Sequence, residues 1–190
     1  MNHYISTQAI MNAMFFYQSK GFEPIKVPLL VDCAVSDITK PKNVPNLHHS
    51  NNKVYVASAE QSFLQLLEHD LILDADNIMY QGITPCYRPE RYLDDEHYLI
   101  FLKLELFAFG NVIDKVLSAA KAFYDKEGLD TEVIATPEGY DIVCKYTNLE
   151  LGSYGIRKSI NGTVYTYGTG IADPRFSHCY EIQHYVVYKD

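Results

Sequence analysis

Apolar and polar residues alternate along the chain with two periods, near 3.6 in some segments and near 2 in others. Ile5, Ile10, Met14 and Tyr17 fall near helical spacing, so Ile5–Ser19 is predicted as a helix, with Gly21 just past its end. Phe22–Val31 reads as extended chain, because Pro24 and Pro28 exclude a helix. Thr39–Asn52, rich in Pro, Asn and His, reads as a surface loop. Lys53–Ala57 follows as a strand. Ser58 then caps a helix running to about Leu73, with Gln61 at capping-box spacing. Asn77–Tyr87 and His97–Phe109 read as two strands around the polar stretch Arg88–Glu96. Asn111–Glu127 places Val112, Val116, Ala119, Ala120 and Phe123 on one helix face, and Gly128 ends it. Glu132–Ile134 and Tyr140–Tyr146 are strand-like. Gly155–Ile160 and Thr163–Ile171 flank Asn161-Gly162, the pattern of a type I′ hairpin. Strands joined mostly by hairpins, with helices added, predict an α+β fold: an antiparallel β-sheet flanked by helices.

Length and composition narrow the class. No internal repeat or low-complexity tract breaks the 190 residues, so one domain over 1–190 is expected. Apolar residues make up 47% and charged residues 21%, which excludes a disordered chain. No apolar run approaches the ~20 residues of a membrane span. The first residues lack the basic flank and apolar run of a signal peptide. Cys33, Cys86, Cys144 and Cys179 are widely spaced with no CxxC pair, so neither a zinc site nor a disulfide framework is expected. The expected location is the cytoplasm, with reduced thiols. Twenty-four Asp and Glu outnumber 16 Lys and Arg, a formal charge of -8. That balance argues against broad binding of a phosphate backbone, which calls for clustered cations.

Three segments carry candidate chemistry. In the first, Arg88 and Glu90 lie two apart, and His97, Phe101 and Glu105 repeat at even spacing. If the flanking segments pair as antiparallel strands, each set shares a sheet face. An arginine that clamps phosphate, an aromatic ring that stacks a purine, and His97 near an outer phosphate would form a nucleotide site. A surface hairpin with cross-strand ion pairs explains the same pattern. In the second, Asp141 and Glu150 offer oxygen ligands for Mg2+, Gly152 and Gly155 allow close backbone approach, and Arg157 can hold an anion. An ordinary glycine-rich strand is the alternative. In the third, Gly168, Gly170 and Ala172 bare one strand face to a flat ligand, with Arg175 just beyond. A plain strand end is the alternative there.

Taken together, the three segments resemble the class II aminoacyl-tRNA synthetases. Gly21–Leu29 resembles motif 1 of that family, Arg88-Pro89-Glu90 with His97 and Phe101 resembles motif 2, and Gly168–Arg175 resembles motif 3. Tyr140-Asp141 and Glu150–Arg157 are similar to strands of the aspartyl/asparaginyl/lysyl subgroup, and Val56–Gln61 to its ammonium-reading segment. The resemblance spans roughly Ile5–Phe176 and implies the family's fold, a homodimer built through motif 1, and ATP as a substrate. It also implies residue roles. Arg88, Arg175 and Glu150 would be catalytic, and Arg88, Glu90, His97, Phe101, Gly170 and Arg175 would bind ATP. Ser58, Glu60, Gln61, Glu105, Gly152, Ser153 and Arg157 would bind the substrate acid, while Asp141 and Glu150 hold Mg2+.

The implied reaction suits these residues. A carboxylate attacks the α-phosphate of ATP and pyrophosphate leaves, so the site must supply positive charge and hold geometry. Two features depart from the family. The position of a carboxylate-selecting lysine is Leu64, which removes a partner for aspartate, and Asp173-Pro174 replaces an apolar–acidic pair before Arg175. No anticodon-binding domain is expected beside this core. The expectation is an ATP-dependent ligase that activates an amino acid or small carboxylate and passes it to a non-tRNA amine, as a synthetase paralogue of the asparagine synthetase type does. A minimal tRNA-charging core and a non-catalytic ligand-binding paralogue stand second and third. No membrane partner is expected.

Overall fold

The computed structural model describes residues 4–40, 44–72, 78–89, 92–94 and 97–187. Helix α1 (Thr7–Ser19) starts at Ser6, whose Oγ accepts from the Ala9 N–H at 3.2 Å. It ends at Gly21, whose φ of +88° suits the residue without a Cβ. Strand β1 (Phe22–Pro24) follows. Strands β2 (Leu30–Asp32) and β3 (Lys53–Tyr55) form a small antiparallel pair, joined through helix α2 (Cys33–Thr39). Helix α3 (Ala59–Glu68) carries the expected Ser58 cap. It stops earlier than the sequence suggested, and residue 73 lies outside the described residues. Asp70 adopts φ +54°, its N–H donates to the Leu67 carbonyl, and the Leu71 N–H donates to that of Leu66. That is a Schellman closure, with Asp in the place glycine usually takes.

Strands β4 (Met79–Tyr87) and β5 (Ile100–Phe109), helix α4 (Ile113–Lys126), then β6 (Thr131–Thr136), β7 (Gly139–Cys144), β8 (Glu150–Lys158) and β9 (Val164–Asp173) complete the sheet, and helix α5 (Arg175–Val187) is the last described element. The seven strands run in the order β1-β4-β5-β9-β8-β7-β6. All neighbours are antiparallel except β1 and β4, which are parallel. The α+β architecture is therefore the expected one. Three local expectations are revised. Helix α2 occupies a stretch left unassigned in the sequence, and α5 follows the third motif. The β8–β9 connection is not a type I′ turn, because Asn161 lacks the positive φ that turn needs. Instead Ser159 and Thr163 pair around a three-residue loop in which Gly162 takes φ +84°.

Strand β5 shows how the sheet divides its two faces. Leu102, Leu104 and Leu106 join α1 and α4 in one core, with Ile171, Tyr154 and Phe123. Phe101, Lys103, Glu105, Phe107 and Phe109 alternate onto the other face, toward α3. There Phe107 stacks between Phe63 at 4.9 Å and Tyr165 at 5.1 Å. This second core holds α2, α3 and the β2–β3 pair on the sheet. Beyond it, the same face opens into a cavity.

Candidate functional site

A cavity of about 990 Å³ lies between the start of α3 and the sheet face of β5, β9 and β8. The end of β4 delivers Arg88. Its backbone N–H donates to Leu99 O at 3.0 Å and its Nε donates to Ala57 O at 3.1 Å. Its guanidinium lies 4.9 Å from the centre of the Phe101 ring, a cation–π contact that fixes both side chains in the wall. Arg175, the first residue of α5, donates from Nη1 to the Glu150 carbonyl at 2.8 Å, and its Nη1 stands 4.0 Å from the Glu150 carboxylate. Asp173, just before it, is fully buried and accepts from the Ser177 N–H and hydroxyl and the Ser6 N–H. The departure at Asp173-Pro174 thus leaves β9 intact to its last residue and ties the start of α5 to the start of α1.

Ser58, Glu60 and Gln61 reach the cavity from the first turn of α3. Gln61 is committed to structure: its Oε1 accepts from the Ala57 N–H at 2.8 Å and its Nε2 donates to Ser36. Glu60 accepts from Arg157 Nη1 at 2.7 Å and from the Tyr165 hydroxyl at 2.8 Å. Arg157 also donates to Glu138 at 2.8 Å and lies 4.2 Å over the Tyr167 ring. Burial pushes the Tyr167 phenol up to about 12, which keeps it neutral. Glu60 and Arg157, expected to read opposite ends of a substrate, thus bind each other. His97 lines the exposed rim, where its backbone N–H and Nδ1 both meet Asp94 Oδ1, at 2.8 and 2.7 Å.

Of the expected residues, the cavity wall brings together Ser58, Glu60, Gln61, Arg88, His97, Phe101, Glu150, Gly152, Ser153, Arg157 and Arg175. Glu90 lies outside the described residues. Three others are not in the wall. Gly170 turns to the opposite face, where an added Cβ would strike Leu104 and Tyr17 and where its carbonyl accepts the Tyr17 hydroxyl at 2.8 Å. A one-residue irregularity between β5 and β9 causes this, so Thr169 and Ala172 face the cavity instead. Asp141 sits on β7 opposite Ser153, one strand farther from the cavity. Past a one-residue bulge in β8, Glu150 pairs with Val143, two residues along β7 from Asp141. No group of three or more His, Cys, Asp or Glu forms a metal site among the described residues. Glu150 lines the cavity and Asp141 does not. Glu105 lies beneath the wall, fully buried.

Lys103 is the residue the sequence reading passed over. It lines the cavity between Ser58 Oγ at 3.1 Å and Glu105 Oε2 at 2.7 Å. The signal was present: Lys103 lies two residues from both Phe101 and Glu105, so the alternation that places those two on one face places Lys103 with them. Burial pushes the Glu105 carboxyl up to about 7, against the opposing pull of the Lys103 ammonium.

No protein-family model matches the chain, and no curated protein does. Solved structures do. Seryl-tRNA synthetase from Pyrococcus horikoshii, complexed with ATP, superposes with a TM-score of 0.74 at 18% identity. The match covers 90% of this chain and 48% of that one. The fold is that of a class II aminoacyl-tRNA synthetase catalytic core. Cytoplasmic serine-tRNA ligase from Naegleria fowleri, in complex with AMP, gives a TM-score of 0.69 at 17% identity over 90% of this chain and 52% of its own. Pyrrolysyl-tRNA synthetase PylSc from Desulfitobacterium hafniense gives 0.70 at 14% identity over 92% and 66%. The chain therefore spans about half the length of the two serine enzymes. The class II likeness is one of fold. The cavity is lined by residues of the second and third motif-like segments, among them Arg88, Phe101, Ala172 and Arg175.

Proposed function

We propose that this protein is an ATP-dependent ligase that activates an amino acid or another small carboxylate as its adenylate. The observation that carries this is the convergence of Arg88 over Phe101 with Arg175 beside Glu150, on one wall of a cavity in a class II core. In the reaction, a carboxylate oxygen bonds to the α-phosphorus of ATP and the bond between the α-phosphorus and its bridging oxygen breaks. Pyrophosphate leaves with that electron pair. Both reactants are anions, so the two guanidiniums lower the barrier by holding them together and opposing the charge that builds in the transition state. No protein nucleophile is required. The aromatic ring of Phe101 and the apolar edge formed by Ala172 and Tyr98 suit a nucleobase.

The acceptor of the activated acyl group is an amine or a tRNA 3′ end, and the test must separate the two. The full chain is assayed for acid-dependent exchange of pyrophosphate into ATP over a panel of amino and organic acids, with and without tRNA. Exchange with one acid supports adenylation, and no exchange with any acid refutes it. Arg175→Ala is expected to lower exchange by ~100-fold or more, the scale of losing one transition-state contact. A need for tRNA identifies a charging enzyme; turnover with ammonia or an amine alone identifies a ligase of small acceptors. A second copy of the chain is proposed to cover α1, which leaves Phe15 58% exposed. Sedimentation as a monomer would contradict that. No helix among the described residues is long and apolar enough to cross a membrane.

A further inference from the structure

One cation in the cavity has no role in the adenylation chemistry. Lys103 is 9% exposed, deep for a lysine. A cation so far from water needs compensation, and its ammonium carries three donors. Ser58 Oγ takes one at 3.1 Å. Glu105 Oε2 takes a second at 2.7 Å, which leaves one donor that no described residue is shown to take. The Lys103 ammonium thus reaches the cavity with donor capacity that the described residues do not use. Burial also pushes Glu105 up to about 7, with Lys103 pulling the other way and Glu60 and Arg157 facing it. Near neutral pH its compensation of Lys103 is incomplete.

The carboxylates of the cavity are placed differently. Glu60 is engaged by Arg157 and Tyr165. Asp173 is fully buried and bonded to Ser6 and Ser177. Asp94 holds His97 at the rim, and Glu150 stands beside Arg175. A substrate ammonium at the deep end would meet Lys103 rather than an available anion among the described residues, and like charges there repel strongly for want of water. A substrate anion at the same place would complete the lysine's donors.

Resting on the adenylation reading for the carboxylate that reacts, we infer that the acid accepted here carries a second anionic group docked on Lys103 and no ammonium group beside it. Its class is a small dicarboxylate, or a carboxylate bearing a phosphate. Lys103 is then a specificity-determining residue.

The test is calorimetric titration of the full chain, in the presence of AMP, with succinate and glutarate, against butyrate and L-aspartate. Butyrate removes the second anion from succinate, and L-aspartate adds an ammonium to it. At least one dicarboxylate is expected to bind tenfold or more tighter than both controls. Lys103→Met is expected to erase the preference and Lys103→Arg to retain it. Circular dichroism of both variants shows whether they fold. If Lys103→Met does not, the comparison of ligands on the unchanged chain decides alone. Equal or tighter binding of L-aspartate overturns the inference, as does a preference that survives in folded Lys103→Met, or no binding of either dicarboxylate. Pyrophosphate exchange with the same acids separates the two levels. A dicarboxylate preference without exchange keeps the anion site and refutes adenylation. Exchange with L-aspartate and none with a dicarboxylate keeps adenylation and refutes the anion site.

Discussion

Glu105→Gln isolates the buried acid beneath the site wall whose pKa is raised. The side chain is fully buried, and burial lifts its carboxyl from the ordinary 4.5 to about 7. The folded chain therefore holds a proton that the unfolded chain has already released between those two values. Stability contributed by this group is full below about pH 4.5, declines as pH rises through 7, and is level above. At about 1.4 kcal/mol per tenfold change in proton affinity, the loss is about 3 kcal/mol, most of it between pH 5 and 8. Glutamine keeps the shape and can still accept from Lys103, but it cannot titrate. Urea unfolding at half-unit pH steps from 5 to 8 measures the effect. The unchanged chain is expected to lose about 2.5 kcal/mol more than Glu105→Gln over that range. Parallel pH profiles for the two proteins would refute the reasoning, because the buried carboxyl would then be as acidic as one in water.

Two further outcomes check the packing. Phe107→Ala removes the middle ring of the Phe63–Phe107–Tyr165 stack and is expected to cost about 3–5 kcal/mol in urea unfolding; a loss under about 1 kcal/mol would show that the second core is loose. Of the four free cysteines only Cys33 is partly exposed, and burial pushes the thiols of Cys86 and Cys179 up to about 12, so a thiol reagent is expected to titrate one cysteine in the folded chain and four in denaturant. Rapid reaction of all four without denaturant would contradict the burial.

Local signals carried most of the fold. Ser58 announced α3 because a hydroxyl at that position can satisfy an otherwise unpaired N–H. Gly128 announced the end of α4 because its φ of +78° disfavours a side chain. The paired strands around Arg88–Glu96 were legible from period-2 alternation. What stayed hidden depends on tertiary partners. Helix α5 begins after a proline and takes its first-turn bonds from Asp173, which the chain pattern alone does not reveal. Gly170 was assigned to the ligand face by simple alternation, and a one-residue slip beside β5 moved it to the other. Lys103 was passed over although period-2 alternation sets it on one face with Phe101 and Glu105; its burial depends on the folded sheet. The pairing of Glu60 with Arg157, 97 positions apart, is likewise a property of the closed sheet.

Adenylation is tested most directly by following oxygen. The acid that supports exchange is prepared with 18O in its carboxylate and incubated with the full chain, ATP and an amine or tRNA acceptor. If the carboxylate attacks the α-phosphorus, one labelled oxygen must end in AMP when the acyl group departs. Mass spectrometry of the AMP is expected to show one 18O per turnover. Turnover that yields unlabelled AMP, or ADP in its place, would contradict the mechanism proposed for this cavity.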